Sequence, residues 1–384
     1  MPSVPTTSLD LNSAEVIADP YPFFADERAK GPVVWHEHSQ MYLAVSHAAA
    51  STVQRTRALG RIWRDREPTD YLEPFNLLHR HQMMENEPPE HTRLRRPVAA
   101  AFNRGHVERL RPRVVSLAES LLDQVDLDSF DVIGEFAEPL PVLVICELLG
   151  FPASAVDDLR RWSQAIVKMY EPSPSTEVVD AAVRAASEFA EAVRDLVRDR
   201  RAKPGDDLVS DLASSELSEE EVVASVVLLL NAGHEASVNV FGNGLVALLE
   251  RGLRPDADVA LTVEEMLRFD SALQLFERTA TDVVEVAGVR LEPGQKIAAM
   301  IGSANRDPGV FADADRFEVA RDPNPHLAFG VGVHFCLGAP LARMELSESV
   351  TALFDRVPSL RLIDQPVSRG TFVLRGYHSV KVGR

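Results

Sequence analysis

The sequence predicts a mainly α-helical fold with small β-sheets at its margins, built as a single large domain over residues 1–384, with 1–20 a poorly ordered N-terminal arm. Three observations predict it. Apolar residues recur at three- and four-residue spacing through most of the chain. Period-two stretches are few and short, and no Ser/Gly-rich linker, repeat or low-complexity segment divides the chain. An apolar fraction of 45% and a charged fraction of 26% suit a protein with a large core.

The elements follow in chain order. Val33–Val45 predicts a hairpin turning at His38-Ser39-Gln40. Glu108–Leu127 and Val178–Lys203 carry helical spacing, and Pro204-Gly205 stops the second. Ser218-Glu219-Glu220-Glu221 is a capping box with an acidic first turn, and it opens a long helix over Ser218–Arg251. Thr262–Phe269 is a shorter helix. Asp282–Ile301 reads as short strands broken at Gly288 and at the turn Pro293-Gly294. Leu341–Phe354 is a helix stopped before Pro358, and Phe372–Val382 predicts a terminal hairpin bending at Gly376.

Composition narrows the function. A net charge of −18 and a pI of about 5.1 argue against a nucleic-acid binder. Of the two cysteines, Cys146 ends the apolar run Leu140–Cys146 and reads as buried packing. The N-terminus has no basic n-region and no apolar h-region, and the most apolar run, Val222–Gly233, is too short to span a bilayer. A cytoplasmic protein with no membrane attachment is expected.

The most informative residues are Phe329-Gly330-Val331-Gly332-Val333-His334-Phe335-Cys336-Leu337-Gly338, just before a helix. Glycine permits tight turns and close approach of backbone to a flat ligand. A cysteine near a helix N-terminus is biased towards thiolate. A dinucleotide loop fails because Phe335 stands where the third glycine must be, and a zinc site lacks a second cysteine or a close His pair. The pattern resembles the haem-binding signature of the cytochrome P450 family. The resemblance implies that fold, with haem b (iron protoporphyrin IX) as cofactor and Cys336 as the proximal iron ligand, its thiolate favouring O–O cleavage. Phe329, Gly330 and Gly338 would frame the cofactor.

The resemblance extends from about Tyr21 to the C-terminus. Glu265-Met266-Leu267-Arg268 matches the family's Glu-x-x-Arg, which implies a buried structural pair with Arg316 as a third member. His91 and Arg95, four apart on a helix, resemble residues that hold one haem propionate, and Arg278 and His334 the other. In the long helix, His234-Glu235 fails as a metalloprotease motif because Val238 replaces the second His. The stretch instead resembles the family's distal helix: Ala232 and Gly233 leave room for oxygen and substrate, and Glu235 matches the acid of an acid–alcohol pair. The alcohol is missing, because Ala236 occupies the usual Thr position. Ser237 is a weaker substitute, since one residue further along a helix is a rotation of about 100°. A substrate hydroxyl or an ordered water chain reaching Glu235 is the expected route for protons.

The resemblance implies a monooxygenase that hydroxylates or epoxidises a mainly hydrophobic small molecule, a secondary metabolite by family analogy and potentially carrier-bound. Leu275, Phe276, Phe372 and Val373 are expected in the substrate pocket. Two cysteines hold no conventional iron–sulfur cluster, so electrons must come from a ferredoxin and an NAD(P)H-dependent ferredoxin reductase. The arginines Arg93, Arg95, Arg96, Arg104, Arg109, Arg111 and Arg113 read equally as a solvated helix pair or a docking patch for that ferredoxin. A monomer is expected. Two other classes stay open: an oxidative coupling or peroxide-driven haem enzyme, and a haem-binding recruiter without activity.

Overall fold

The computed structural model describes residues 4–171 and 174–384; of Arg104 it describes the backbone alone. The fold is organised around the helix Glu219–Glu250. Ser218 accepts the Glu221 N–H, and the Glu221 carboxylate accepts the Ser218 N–H, closing the capping box. Its apolar residues face every direction, and Val222–Asn231 and Val238–Leu248 are buried all round. The helix is long and apolar enough to cross a bilayer, yet 67% of its most apolar window is buried inside the protein, as a core helix requires. Helices Thr69–Arg80, Pro139–Leu149, Val156–Val167, Thr176–Ala202 and Val259–Phe269 pack against it. The helices expected near 108–127, 178–203, 262–269 and 341–354 are Arg104–Leu122, Thr176–Ala202, Val259–Phe269 and Ala339–Arg356.

The main sheet runs, edge to edge, Thr6–Thr7, Val33–His36, Met41–Ala44, Lys296–Ala299, Phe276–Ala280 and Leu59–Gly60. Its central hairpin pairs Val33 with Ala44 and turns at Gln40, whose φ is 50°. Lys296–Ala299 lies antiparallel to Phe276–Ala280, with Arg278 opposite Ile297. Two expectations are corrected here. From Thr6 onward the N-terminal residues are not a loose arm. Thr6 and Thr7 pair with Trp35 and His36, Ser13 caps the helix Ala14–Ala18, and Leu11 and Val16 are buried. The C-terminal segment is not one hairpin either. Tyr377–Ser379 pairs with Val367–Ser368, whereas Lys381–Gly383 pairs with Arg361–Leu362 and Phe130–Asp131. Gly376 lies against the central helix: a Cβ there would fall 2.1 Å from Asn239 Oδ1.

The Glu-x-x-Arg pair is a fully satisfied buried network. Arg268 donates to both Glu265 oxygens at 2.7 Å and to the carbonyls of Asn305, Ala314 and Arg316. The third member is Arg321, not Arg316. Arg321 Nε lies 3.1 and 3.2 Å from the Glu265 oxygens, while the Arg316 side chain is 73% exposed and contributes only its carbonyl. Ala312, Asp313 and Arg316 are exposed residues that turn their carbonyls to Arg321, and Arg321, five residues after Arg316, supplies the guanidinium.

Candidate functional site

The cysteine loop is shaped by its backbone. Gly330 and Gly332 have φ of 66° and 81°, values that disfavour any side chain. A Cβ on Gly332 would also lie 2.6 Å from the Gln54 carbonyl oxygen. Gln54 accepts the Val331 N–H at 2.9 Å, and Phe329 accepts the Cys336 N–H at 2.9 Å, so the loop is pinned at both ends. Gly338 precedes the helix Ala339–Arg356, which has Pro340 in its first turn. The backbone at Gly338 is ordinary, and beyond its own stretch of chain no atom of the described residues lies within 4 Å of where a Cβ would start. This is a cradle open to a ligand. The Arg343 guanidinium covers the Phe329 ring at 4.5 Å and is held by Glu264.

Burial pushes the Cys336 thiol above its usual range; the Gly338 and Ala339 N–H groups, Arg95 and Arg343 pull it back only in part. The helix-end donors expected from the sequence are present, but they do not by themselves hold a thiolate. A cation bonded to the sulfur would complete that stabilisation. Cys146 is buried and pushed up to about 12 by desolvation, as a packing residue.

Beside the loop lie groups that lack an anion. His91 is buried and neither ring nitrogen has a hydrogen-bond partner among the described residues; burial lowers it to about 4. Its ring centroid is 4.6 Å from that of His334. Arg278 is 4% exposed, its side chain donates among the described residues to the neighbouring Glu277 carbonyl alone, and burial lowers it to about 10. Arg95 donates to the carbonyls of Val333 and Phe335. Buried cations and imidazoles without partners are costly, so this set calls for carboxylates. The donor set, the cradle at Gly338 and the single cysteine fit a haem with its two propionates.

The opposite face is set by the central helix. After ten buried residues Ala232 is exposed, Gly233 and Ala236 are half-buried, and the helix is buried again from Val238. This lapse in burial leaves the helix uncovered at Ala232, Gly233 and Ala236. Glu235 is 2% exposed; its Oε2 accepts from Arg369 Nη1 at 2.9 Å and its Oε1 has no hydrogen-bond partner. Burial raises the Glu235 carboxyl, Arg369 opposes the rise and Glu138 adds to it. Arg369 also binds Glu138 at 2.8 Å, linking Glu235 to a second acid. His234 is fully buried with no hydrogen-bond partner among the described residues, its Nδ1 3.5 Å from Glu235 Oε1, and desolvation holds it neutral, down to about 3. Ser237 faces elsewhere, into a cavity lined by Leu140, Phe241, Glu345 and Ser349.

The expected pocket residues separate. The Phe276 ring lies under the guanidinium groups of Arg61 and Arg278, at 5.0 and 5.4 Å. Leu275 and Val373 are partly buried. Phe372 is 2% exposed and packs edge-on against Phe24, so its side chain belongs to the core and not to an open pocket. Of the arginine run, Arg93, Arg96, Arg111 and Arg113 are paired with Glu90 and Glu221, Glu216, Glu108 and Glu348, and Glu147. The Arg104 side chain lies outside the described residues. Arg109 bonds only His106 among the described residues. Sequence reading missed Arg321, Arg369, Glu138 and Gln54, because each meets its partner from a distant loop or helix with no local pattern.

This fold and this thiolate site define a haem-thiolate protein. A family model described as cytochrome P450 matches residues 259–356. The chain is 36% identical to the cytochrome P450 monooxygenase PikC of Streptomyces venezuelae, over 95% of this chain and 90% of that protein. It is 39% identical to the 6-deoxyerythronolide B hydroxylase of Saccharopolyspora erythraea, over 77% of this chain and 76% of that one. Among solved structures, P450BioI in complex with an acyl carrier protein ligated with hexadec-9Z-enoic acid superposes with a TM-score of 0.92 at 29% identity, covering 96% of this chain and all of that one. The chain belongs to the cytochrome P450 family and is a cytochrome P450 monooxygenase, an oxidoreductase.

Proposed function

We propose that this enzyme uses haem b, ligated by Cys336, to hydroxylate or epoxidise a mainly hydrophobic secondary metabolite, with electrons from a ferredoxin and its NAD(P)H-dependent reductase. The observation that carries the reading is the glycine loop of Cys336 packed through His334 against His91, which is buried without a hydrogen-bond partner among the described residues, beside the open position at Gly338. The haem supplies reductive activation of dioxygen. The chain does the rest. Cys336 holds the iron, and His91, Arg95, Arg278 and His334 neutralise the propionates. Phe329, Gly330 and Gly338 shape the proximal cradle, and Ala232 and Gly233 keep the distal face open. Leu275, Phe276 and Val373 orient an apolar substrate.

Proton supply falls to Glu235. Arg369 anchors its Oε2, which leaves Oε1 to hold and give a proton. Ala236 offers no hydroxyl next to it, so a substrate hydroxyl or an ordered water bridges the gap. Ser237 contributes little, because it lines a different cavity. The relatives' names support a secondary metabolite, and the carrier-protein complex of P450BioI supports a carrier-bound form of it. The ferredoxin docks on the cysteine side, where Phe335 is 41% exposed and its carbonyl accepts from Arg95. We place the enzyme in the cytoplasm as a monomer of one domain.

Screening candidate metabolites, free and carrier-bound, for a low-to-high-spin shift of the haem absorption band tests the substrate class. A polyketide-like or other apolar metabolite is expected to produce the shift and to yield product carrying one oxygen-18 atom from labelled dioxygen. A spin shift with product lacking the label would overturn the insertion chemistry. Cys336→Ser is expected to abolish the thiolate-type spectrum of the reduced carbon monoxide complex; a spectrum unchanged in the variant would remove Cys336 as ligand.

A further inference from the structure

We propose that Glu87 is a positioning residue for the haem propionates, acting through His334. The inference rests on the haem reading of the cysteine loop and adds a residue to it. His334 Nε2 donates to Glu87 Oε1 at 2.8 Å. The same oxygen accepts the Arg61 backbone N–H at 2.7 Å. An imidazole that donates through Nε2 is oriented by that bond, and its other nitrogen, Nδ1, is presented to whatever lies on the far side of the ring. Against the same ring packs His91, with its centroid 4.6 Å away and both nitrogens without hydrogen-bond partners among the described residues.

The position of Glu87 is itself built. Gly60 gives it room, because a Cβ there would fall 2.9 Å from Glu87 Cγ. The Arg61 N–H that holds the carboxylate follows directly on Gly60, and the Arg61 side chain is fixed by Glu85 and lies over the Phe276 ring. The carboxylate is kept charged: burial raises it, but the His334 hydrogen bond and the Arg61 N–H outweigh that and hold it below the usual range, with Arg278 adding to the effect. Glu87 therefore shares its neighbours with the groups that await the propionates. The strand Leu59–Gly60 and the segment before His91 are tied by it to the cysteine loop.

A merely structural Glu87 would affect folding alone; a positioning Glu87 affects cofactor retention and does so only while His334 is present. The test is the rate of haem transfer from the holoenzyme to an excess of apo-globin, read from the absorption spectrum, for wild type, Glu87→Ala, Glu87→Gln, His334→Ala and the Glu87→Ala/His334→Ala double variant. Glu87→Ala is expected to speed haem loss about tenfold, the lower range for removing the partner of a ligand-holding His. Glu87→Gln keeps the oxygen acceptor and is expected to recover most of that loss. In the His334→Ala background, Glu87→Ala is expected to add less than about twofold, because coupled residues are not additive. If His334→Ala itself leaves haem loss unchanged, the propionate role of His334 fails. If His334→Ala speeds haem loss but Glu87→Ala does not, or if the two effects multiply in the double variant, the positioning role of Glu87 is overturned.

Discussion

Replacing Arg321 with alanine should destabilise the protein severely, and replacing Arg316 should not. Arg321 is 7% exposed. Its Nε reaches both Glu265 oxygens, its Nη1 donates to the Ala312 carbonyl at 2.8 Å, and its Nη2 donates to the carbonyls of Asp313 and Arg316 at 3.4 and 3.1 Å. Removing it leaves Glu265 with Arg268, the Glu318 N–H and Asn324, so the acid is not stripped bare. One charge-assisted contact is lost and the Ala312 carbonyl loses this donor, which together cost about 3 kcal/mol, while the Asp313 and Arg316 carbonyls keep the Arg316 N–H and Arg268. The Arg316 side chain is 73% exposed and 4.0 Å from Glu318, and its carbonyl survives substitution. Its loss should stay within about 0.5 kcal/mol. The assay is urea unfolding of both holoenzyme variants at one haem concentration, since ligand binding shifts apparent stability. Equal midpoint shifts for the two variants, or a loss under about 1 kcal/mol for Arg321→Ala, would refute the assignment of Arg321 to the buried network.

Glu345 is buried in the cavity beside Ser237 and is raised by desolvation to about 8 from a usual value of 4.5. The folded state therefore binds this proton more tightly than the unfolded chain. Stability from it is fully present below about 4.5 and is lost as pH rises towards 8, at up to about 1.4 kcal/mol per pH unit; Glu345→Gln should flatten that decline in unfolding measurements from pH 5 to 9, and an identical decline in the variant would reject it. Gly332→Ala combines a φ of 81° with a Cβ 2.6 Å from the Gln54 carbonyl oxygen. It should cost at least about 1–2 kcal/mol and accelerate haem loss, whereas Gly338→Ala, with no protein atom nearby, should show its effect only in the haem-loaded protein. Charge reversal at Arg109 should lower the rate of electron delivery at low salt and leave substrate affinity untouched; a rate insensitive to both salt and Arg109→Glu would move the docking site elsewhere.

Local chemistry made several features legible. The capping box at Ser218 and the glycines of the cysteine loop act within a few residues of chain, and both stand where the sequence places them. The hairpin at Gln40 was visible for the same reason. The terminal strands were not: each of the last two takes a partner from a different part of the chain, and alternation alone cannot name a partner. The first helices were missed because short amphipathic segments such as His47–Arg55 carry too few periods to stand out.

The same division holds at the site. The amino-acid sequence by itself determined the glycine loop ending in Cys336, the membership of the Glu265–Arg268 pair and the absence of a hydroxyl at Ala236, because each is a matter of residue type at a fixed spacing. Only the tertiary structure decided that Arg321 and not Arg316 completes the buried pair, that Arg369 and Glu138 secure Glu235, that Phe372 belongs to the core, and that the arginine run is largely neutralised by glutamates. The reason is physical. A hydrogen bond or an ion pair depends on distances of about 3 Å, and such distances between residues separated by 134 and 231 positions, as Arg369 is from Glu235 and from Glu138, exist only once the core has packed and brought the loops together.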